Sequence, residues 1–301
     1  MKFTITDQQL SIPISQKTSI DQILQDLFLS KKTRYLLYQN ALITVNGNIQ
    51  KQNKSLQNGD LLMIQSVFPS ESIPSYAHAI DILYEDDIFL VINKEPHMLV
   101  HSDGINTDHT VCNCVQYYFM QSQQTCPVRP LHRLDQETSG ILLFCKYPLL
   151  QPLLDHWMES KQIHRSYLAV VEGKFPNKKQ VYTDPIGRDR HDARRYITYP
   201  KGKPACTKAA LLQYDERTNR SLIRCTLETG RTHQIRVHLS AHGYPLVNDP
   251  LYGRKKKRSG RLALHSATIS LFHPLTQQML TISCPLPKDL TQLMHLTKKG
   301  L

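Results

Sequence analysis

Apolar and polar positions follow two rhythms along this 301-residue chain. Ile20, Ile23, Leu24 and Leu27 recur at intervals of three and four, the spacing that collects side chains on one face of an α-helix. Ser19, with Gln22 three positions on, has the form of a capping box and predicts where that helix starts. A second helix is predicted over "KKTRYLLYQN", with Lys31, Lys32 and Arg34 at its beginning. The rhythm then changes to strand in "LITVNGNIQ", where Asn46-Gly47 supplies the positive φ values of a tight hairpin. "NGD" at 58 to 60 turns the chain again, and "LLMIQSV" closes the unit as a strand.

Residues 67–78, "VFPSESIPSYAH", hold two prolines, three serines and no sustained period, which reads as a linker. Beyond it, "IDILYEDDIFLVINKEP" sets two apolar runs around an acidic turn. Further strands are predicted at "GILLFCK", "SYLAVVEG", "SLIRCTLETG" and "ATISLFHP". The best helices are "PLLQPLLDHWMES" and "RTHQIRVHLSAHG", the latter starting at Thr232 and ending at Gly243 as its C′ residue. The fold class is therefore α+β: a small α/β unit at 1–66, a linker at 67–78, and a domain at 79–301 on a mainly antiparallel mixed sheet with flanking helices and a central cleft.

Charge narrows the choice of partner. Lysine and arginine number 37 against 25 acidic residues, giving +12 and a pI near 9.3. Such an excess favours a polyanion such as nucleic acid, with an acidic membrane surface as competitor. The run "GRKKKRSGR" places Arg254, Lys255, Lys256, Lys257 and Arg258 together without an acid, and with "GRDRHDARRY" it favours phosphate contacts over a merely solvated loop. Seven scattered cysteines show no disulfide framework, and "MKFTITDQQLSIPI" has no continuous apolar core of a signal peptide. A cytoplasmic protein without membrane spans is expected. His101, Asp103, His109, Cys112 and Cys114 lie close in sequence, but Cys-x-Cys lacks the usual zinc gap and no second pair completes four ligands, so no metal is expected. Ser139 has no nucleophile elbow around it, and no glycine-rich phosphate loop occurs.

Candidate chemistry concentrates in three segments. In "PLHRLDQETSG", a strand arriving at a turn would put Arg133 and Asp135 on one face, with Leu134 inward and the carboxylate at a cleft floor. The spacing is equally that of an aspartate bonded to its own loop, and locally Arg133 is its nearest cationic partner. In "GRTHQIRVHLSAHG", His233 and Arg236 share a helix face while Ile235 and Leu239 pack inward. A buried Arg236 would demand an anionic partner; an exposed one would serve a basic face for solvent or phosphate. Tyr167, in "QIHRSYLAVVEG", is a core tyrosine unless a cleft opens at its hydroxyl.

Taken together, "HRLDQETSGILLF", "GRTHQIRVHLSAHGYPLVNDPLYG", "RLALHSATISLFHP" and "GKPACTKA" resemble the signatures of the RluA family of RNA pseudouridine synthases, over residues 79 to about 290. "ITVNGNIQKQNKSLQNGDLLMI" resembles the C-terminal half of an S4 RNA-binding domain. The resemblance implies a cofactor-free isomerase acting on structured RNA, with Asp135 as catalytic aspartate and Arg236, rather than Arg133, as its ion-pair partner. Tyr167 is implied to pack on the target base, Arg133 to fill the gap left in the RNA stack, and Leu264 to wall the pocket. One carboxylate suffices for that reaction, whereas glycoside hydrolysis would ask for two, and the turn makes Glu137 a poor second.

The sequence departs from the family at "INKEPHMLVH", where Glu95 and His97 replace the usual proline and glycine, which predicts a different backbone path at one cleft lip. A monomer modifying large-subunit ribosomal RNA is expected. The other readings are a transfer-RNA enzyme, a noncatalytic RNA-binding or ribosome-assembly factor on the same fold, and a uridine-directed N-glycosylase.

Overall fold

A computed structural model describes residues 2–6, 8–66, 73–105, 107–253 and 260–295. In its N-terminal unit a five-stranded antiparallel sheet runs in the order Thr4–Thr6, Gln9–Pro13, Leu61–Gln65, Ile43–Val45 and Asn48–Ile49. The helices Ile20–Asp26 and Lys31–Gln39 bury Ile20, Ile23, Leu24 and Leu37. Ser19 Oγ accepts from Gln22 N at 3.2 Å, but the Gln22 amide reaches forward to Asp26 at 2.9 Å, so only half of the capping box forms. Asn46 and Gly47 adopt φ of 51° and 79°, as the hairpin requires. The strands at Thr4–Thr6 and Gln9–Pro13 are additions to the sequence reading: each is short, and Gln8 at φ 63° breaks the alternation between them.

The larger unit carries a nine-stranded sheet. Its main path is Gln180–Tyr182, Thr207–Asp215, Arg220–Leu227, His164–Glu172, Leu264–Phe272, Ser139–Cys145, Phe89–Lys94 and Asp81–Glu85, with Met279–Ser283 paired to Leu264–Phe272. Neighbours are antiparallel except where Ser139 and Gly140 run parallel beside His265 and Ser266. The fold is thus α+β on a mainly antiparallel mixed sheet. Every residue of Ser139–Cys145 is buried, which is why this strand reads as a continuous apolar run.

Helix Val111–Gln121 was not evident from periodicity. A reciprocal Thr110–Asn113 capping box starts it, and it buries Cys112 and Cys114 among Val111, Val115 and Phe119. Burial pushes the Cys112 thiol up to about 12 and the Cys114 thiol up to about 11, as expected of cysteines that serve as core.

One apolar cluster joins the two units: Phe3, Leu27 and Ile64 belong with Leu150, Leu154 and Ile163. At its edge the Tyr147 hydroxyl donates to Gln8 O at 3.0 Å, and Phe28 stacks on His156 with ring centroids 3.9 Å apart. Among the described residues no helix is long and apolar enough to cross a membrane.

Candidate active site

The segment leading to Asp135 is anchored to the sheet but is not a strand. Leu131 N donates to Leu143 O at 2.8 Å and Cys145 N to Arg129 O at 2.9 Å, with Pro130 bridged to Phe144. Pro130 has no N–H to extend the pairing, so the expected strand gives way to irregular chain. The alternation of faces survives: Arg133 is exposed, Leu134 buried, and Asp135 intermediate. A turn follows, closed by Thr138 N to Asp135 O at 3.0 Å.

Two features pin that turn. Gly140 lies at φ 104°, and a β-carbon there would stand 2.2 Å from Ser266 O, so only glycine lets the two strands meet. Lys94, buried at the end of its strand, donates from Nζ to Glu95 O at 2.6 Å and Gln136 O at 3.1 Å. Burial lowers its pKa to about 7, with Arg261 adding to the fall and Asp135 opposing it.

The helix that brings the opposing cation is Gln234–Ala241, two residues later in its start than Thr232. His233 is its N-cap, in the left-handed conformation at φ 56°, and makes no side-chain cap bond. Gln234 binds the preceding loop instead: its Oε1 accepts from Thr229 Oγ1 at 2.7 Å and Arg231 N at 3.0 Å, and its Nε2 donates to Cys206 O at 2.9 Å. Gly243 follows the C-cap at φ 86°, as expected. Arg236 is 3 % exposed, and its Nη1 donates to Asp135 Oδ2 at 2.9 Å across 101 residues of sequence.

Asp249 completes the arrangement. Its carboxylate takes Arg236 Nε and Nη2, each at 2.9 Å, and also accepts from the backbone N–H groups of Leu251 and Tyr252. Burial opposes the Arg236 charge, but Asp249 first and Asp135 second more than offset this and hold its pKa above the ordinary value. The Tyr252 ring centroid lies 5.2 Å from the same guanidinium, and the Tyr252 hydroxyl meets His233 Nδ1 at 3.0 Å. His233 Nε2 stands 3.8 Å from Asp135 Oδ2. Sequence reading missed Asp249, although it is the only acid in the second half of the "GRTHQIRVHLSAHGYPLVNDPLYG" segment.

These groups open on a cleft of about 490 Å³ whose walls include Arg133, Asp135, Tyr167, Arg236 and Leu264. Tyr167 reaches it because a bulge between Ser166 and Tyr167 shifts the register and sets Tyr167 opposite Ser266, the residue that faces Gly140. Burial raises the Tyr167 hydroxyl pKa; Arg165 pulls it down and Asp135 adds to the rise. Lys31, Lys32 and Arg34 stand on helix Lys31–Gln39 and are not among the cleft-lining residues. Arg254, Lys255, Lys256, Lys257 and Arg258 lie outside the described residues. "GRDRHDARRY" forms most of a small hairpin of Ile186–Arg188 with Tyr196–Thr198, from which Arg195 reaches to 5.3 Å from the Tyr252 ring centroid.

A family model described as RNA pseudouridylate synthase matches residues 88–241, and one described as the RluD ribosomal pseudouridine synthase N-terminal domain matches residues 2–62. The chain belongs to the RNA pseudouridylate synthase family. It is 39% identical over 254 residues to the uncharacterized RNA pseudouridine synthase YhcT of Bacillus subtilis (strain 168), covering 83% of each chain. It is 31% identical to the ribosomal large subunit pseudouridine synthase D of Yersinia pestis, covering 98% of this chain and 94% of that one. Human RNA pseudouridylate synthase domain containing 1 superposes with a TM-score of 0.60 at 25% identity, covering 74% of this chain and 89% of that structure. As an RNA pseudouridine synthase the chain is an isomerase.

His97 sits at φ 68°, in the left-handed region that favours glycine. Gln136 Nε2 donates to His97 O at 3.1 Å, and Glu137 Oε2 lies 2.9 Å from His97 Nδ1. Glu137 is thereby engaged by the lip.

Proposed function

We propose that this synthase converts uridine to pseudouridine in large-subunit ribosomal RNA, with Asp135 as the single catalytic carboxylate. The observation that carries this reading is the Asp135–Arg236 pair at 2.9 Å on the wall of the cleft, with Asp249 taking the rest of the Arg236 fork. That grip orients the carboxylate toward the cleft. The Asp135 carboxylate can attack C1′ of the nucleotide or remove its C2′ proton; the bond from C1′ to N1 breaks, the base rotates, C5 bonds to C1′ as the Asp135 bond breaks or the C2′ proton returns, C5 loses its proton to solvent, and N1 takes one up. Nothing is oxidised and no cofactor takes part.

The uridine has to leave its stack, at a cost of a few kcal/mol. Arg133, exposed at the rim, is assigned to fill the vacated space, Tyr167 to pack on the uracil, and Leu264 to wall its pocket. Residues 1–66 form the RNA-binding domain, with Lys31, Lys32 and Arg34 as phosphate contacts, and the basic run Arg254, Lys255, Lys256, Lys257 and Arg258 is assigned further phosphate contacts. The relative named as a large-subunit synthase D aligns along both units, which supports ribosomal RNA over transfer RNA.

The test is tritium release from transcribed large-subunit ribosomal RNA and bulk transfer RNA, each carrying 5-³H uridine. Release from the ribosomal transcript, with pseudouridine as product, is expected. Release confined to transfer RNA would move the substrate, and free uracil would replace isomerisation by glycosylase chemistry.

A further inference from the structure

Arg165 enters the cleft from the strand His164–Glu172, two residues before Tyr167, and the chemistry above leaves it unused. It is 8 % exposed. Arg236 has two carboxylates around it, whereas among the described residues no ion pair reaches Arg165, and its buried Nε has no hydrogen-bond partner. Two of its neighbours, Tyr167 and His132, bring no negative charge: burial raises the Tyr167 hydroxyl pKa, and burial lowers that of His132 to about 3 with Arg165 adding to the fall. Glu228, an acid on the same cleft, is taken by Lys161 at 3.2 Å and by Lys208.

Across from the guanidinium stands Gly230. A β-carbon at that position would lie 3.4 Å from Arg165 Nη2 and 3.5 Å from Nη1. Any larger side chain would cover the nitrogens that now face the cleft. A buried cation without an anion is costly, and the cost is offset when an anion enters. A guanidinium presents the planar fork that matches phosphate oxygens.

We propose that Arg165, left open by Gly230, is a phosphodiester site that receives the RNA backbone phosphate beside the nucleotide entering the cleft. The inference rests on the reading of RNA as substrate and adds a subsite to it. Phosphate fits better than a uracil carbonyl, because a neutral oxygen would leave the guanidinium charge uncompensated.

The experiment measures the affinity of transcribed large-subunit ribosomal RNA in an Asp135→Asn background, where nothing turns over, from about 50 to 200 mM salt. Arg165→Gln is expected to flatten the plot of log K against log salt by about 0.7 to 0.9, the loss of one phosphate contact. Arg165→Lys should keep the slope. Gly230→Asp, which puts a carboxylate where the phosphate would sit, should flatten it as Arg165→Gln does, and serves if Arg165→Gln fails to fold. Wild-type slopes in both Arg165→Gln and Gly230→Asp would overturn the inference, whether or not the isomerisation rate changes. Tritium release by the chain with Asp135 intact is measured on the same RNA: its absence counts against the proposed function, and the slopes still decide the role of Arg165.

Discussion

Asp249 holds Arg236 by two hydrogen bonds of 2.9 Å and leaves Nη1 of the same guanidinium to Asp135. The Asp135–Arg236 geometry thus rests on a carboxylate that is fully buried and is not among the cleft-lining residues. Asp249→Ala is expected to cost about 3–5 kcal/mol in a urea titration, because it strands a buried cation. In the fraction that remains folded, tritium release should fall while RNA affinity stays close to wild type. A variant as active and as stable as wild type would mean that Arg236 needs no second support.

Lys94 makes stability depend on pH. Its folded-state pKa of about 7 lies below the ordinary 10.5, so between those values the unfolded chain binds more protons and stability rises with pH. The contribution is complete above the unfolded pKa and is lost as pH falls through the folded one. Lys94→Met removes it, and the comparison of wild type with this variant cancels other titrating groups. From pH 7 to 8.5 wild type should gain on Lys94→Met by at most about 2 kcal/mol in denaturant titrations. Parallel pH profiles would show that Lys94 stays charged when buried.

His97 keeps a left-handed backbone at φ 68° without the freedom of glycine. A β-branched residue tolerates that region least. His97→Val is expected to be about 1–2 kcal/mol less stable than His97→Gly. Equal stabilities, measured by thermal or urea denaturation, would show that the lip can change its path freely.

Much of the fold was legible because local signals agreed with global packing. Asn46-Gly47 could form little but a hairpin, and the apolar run at Ser139–Cys145 is a strand buried on both faces. Thr4–Thr6 and Gln9–Pro13 are not legible because strands so short are specified by their partners, each by the other and Gln9–Pro13 also by Leu61–Gln65, not by their own periodicity. The start of Gln234–Ala241 was misread because the buried Gln234 amide, bonded to residues as far off as Cys206, organises the turn that Thr232 was expected to cap. Arg133 is the nearest arginine to Asp135 in sequence, yet Arg236 is the one that meets it, and only the resemblance to a family pointed there. Asp249 was out of reach of local spacing, since its role exists only once the helix and the loop after it have folded together.

The most direct test of the proposed chemistry is Asp135→Asn, which keeps size and hydrogen-bonding capacity and removes the charge. On 5-³H uridine ribosomal RNA that wild type converts, this variant should bind with near wild-type affinity and release no tritium above background. Release at the wild-type rate would contradict the assignment of Asp135 as the catalytic carboxylate.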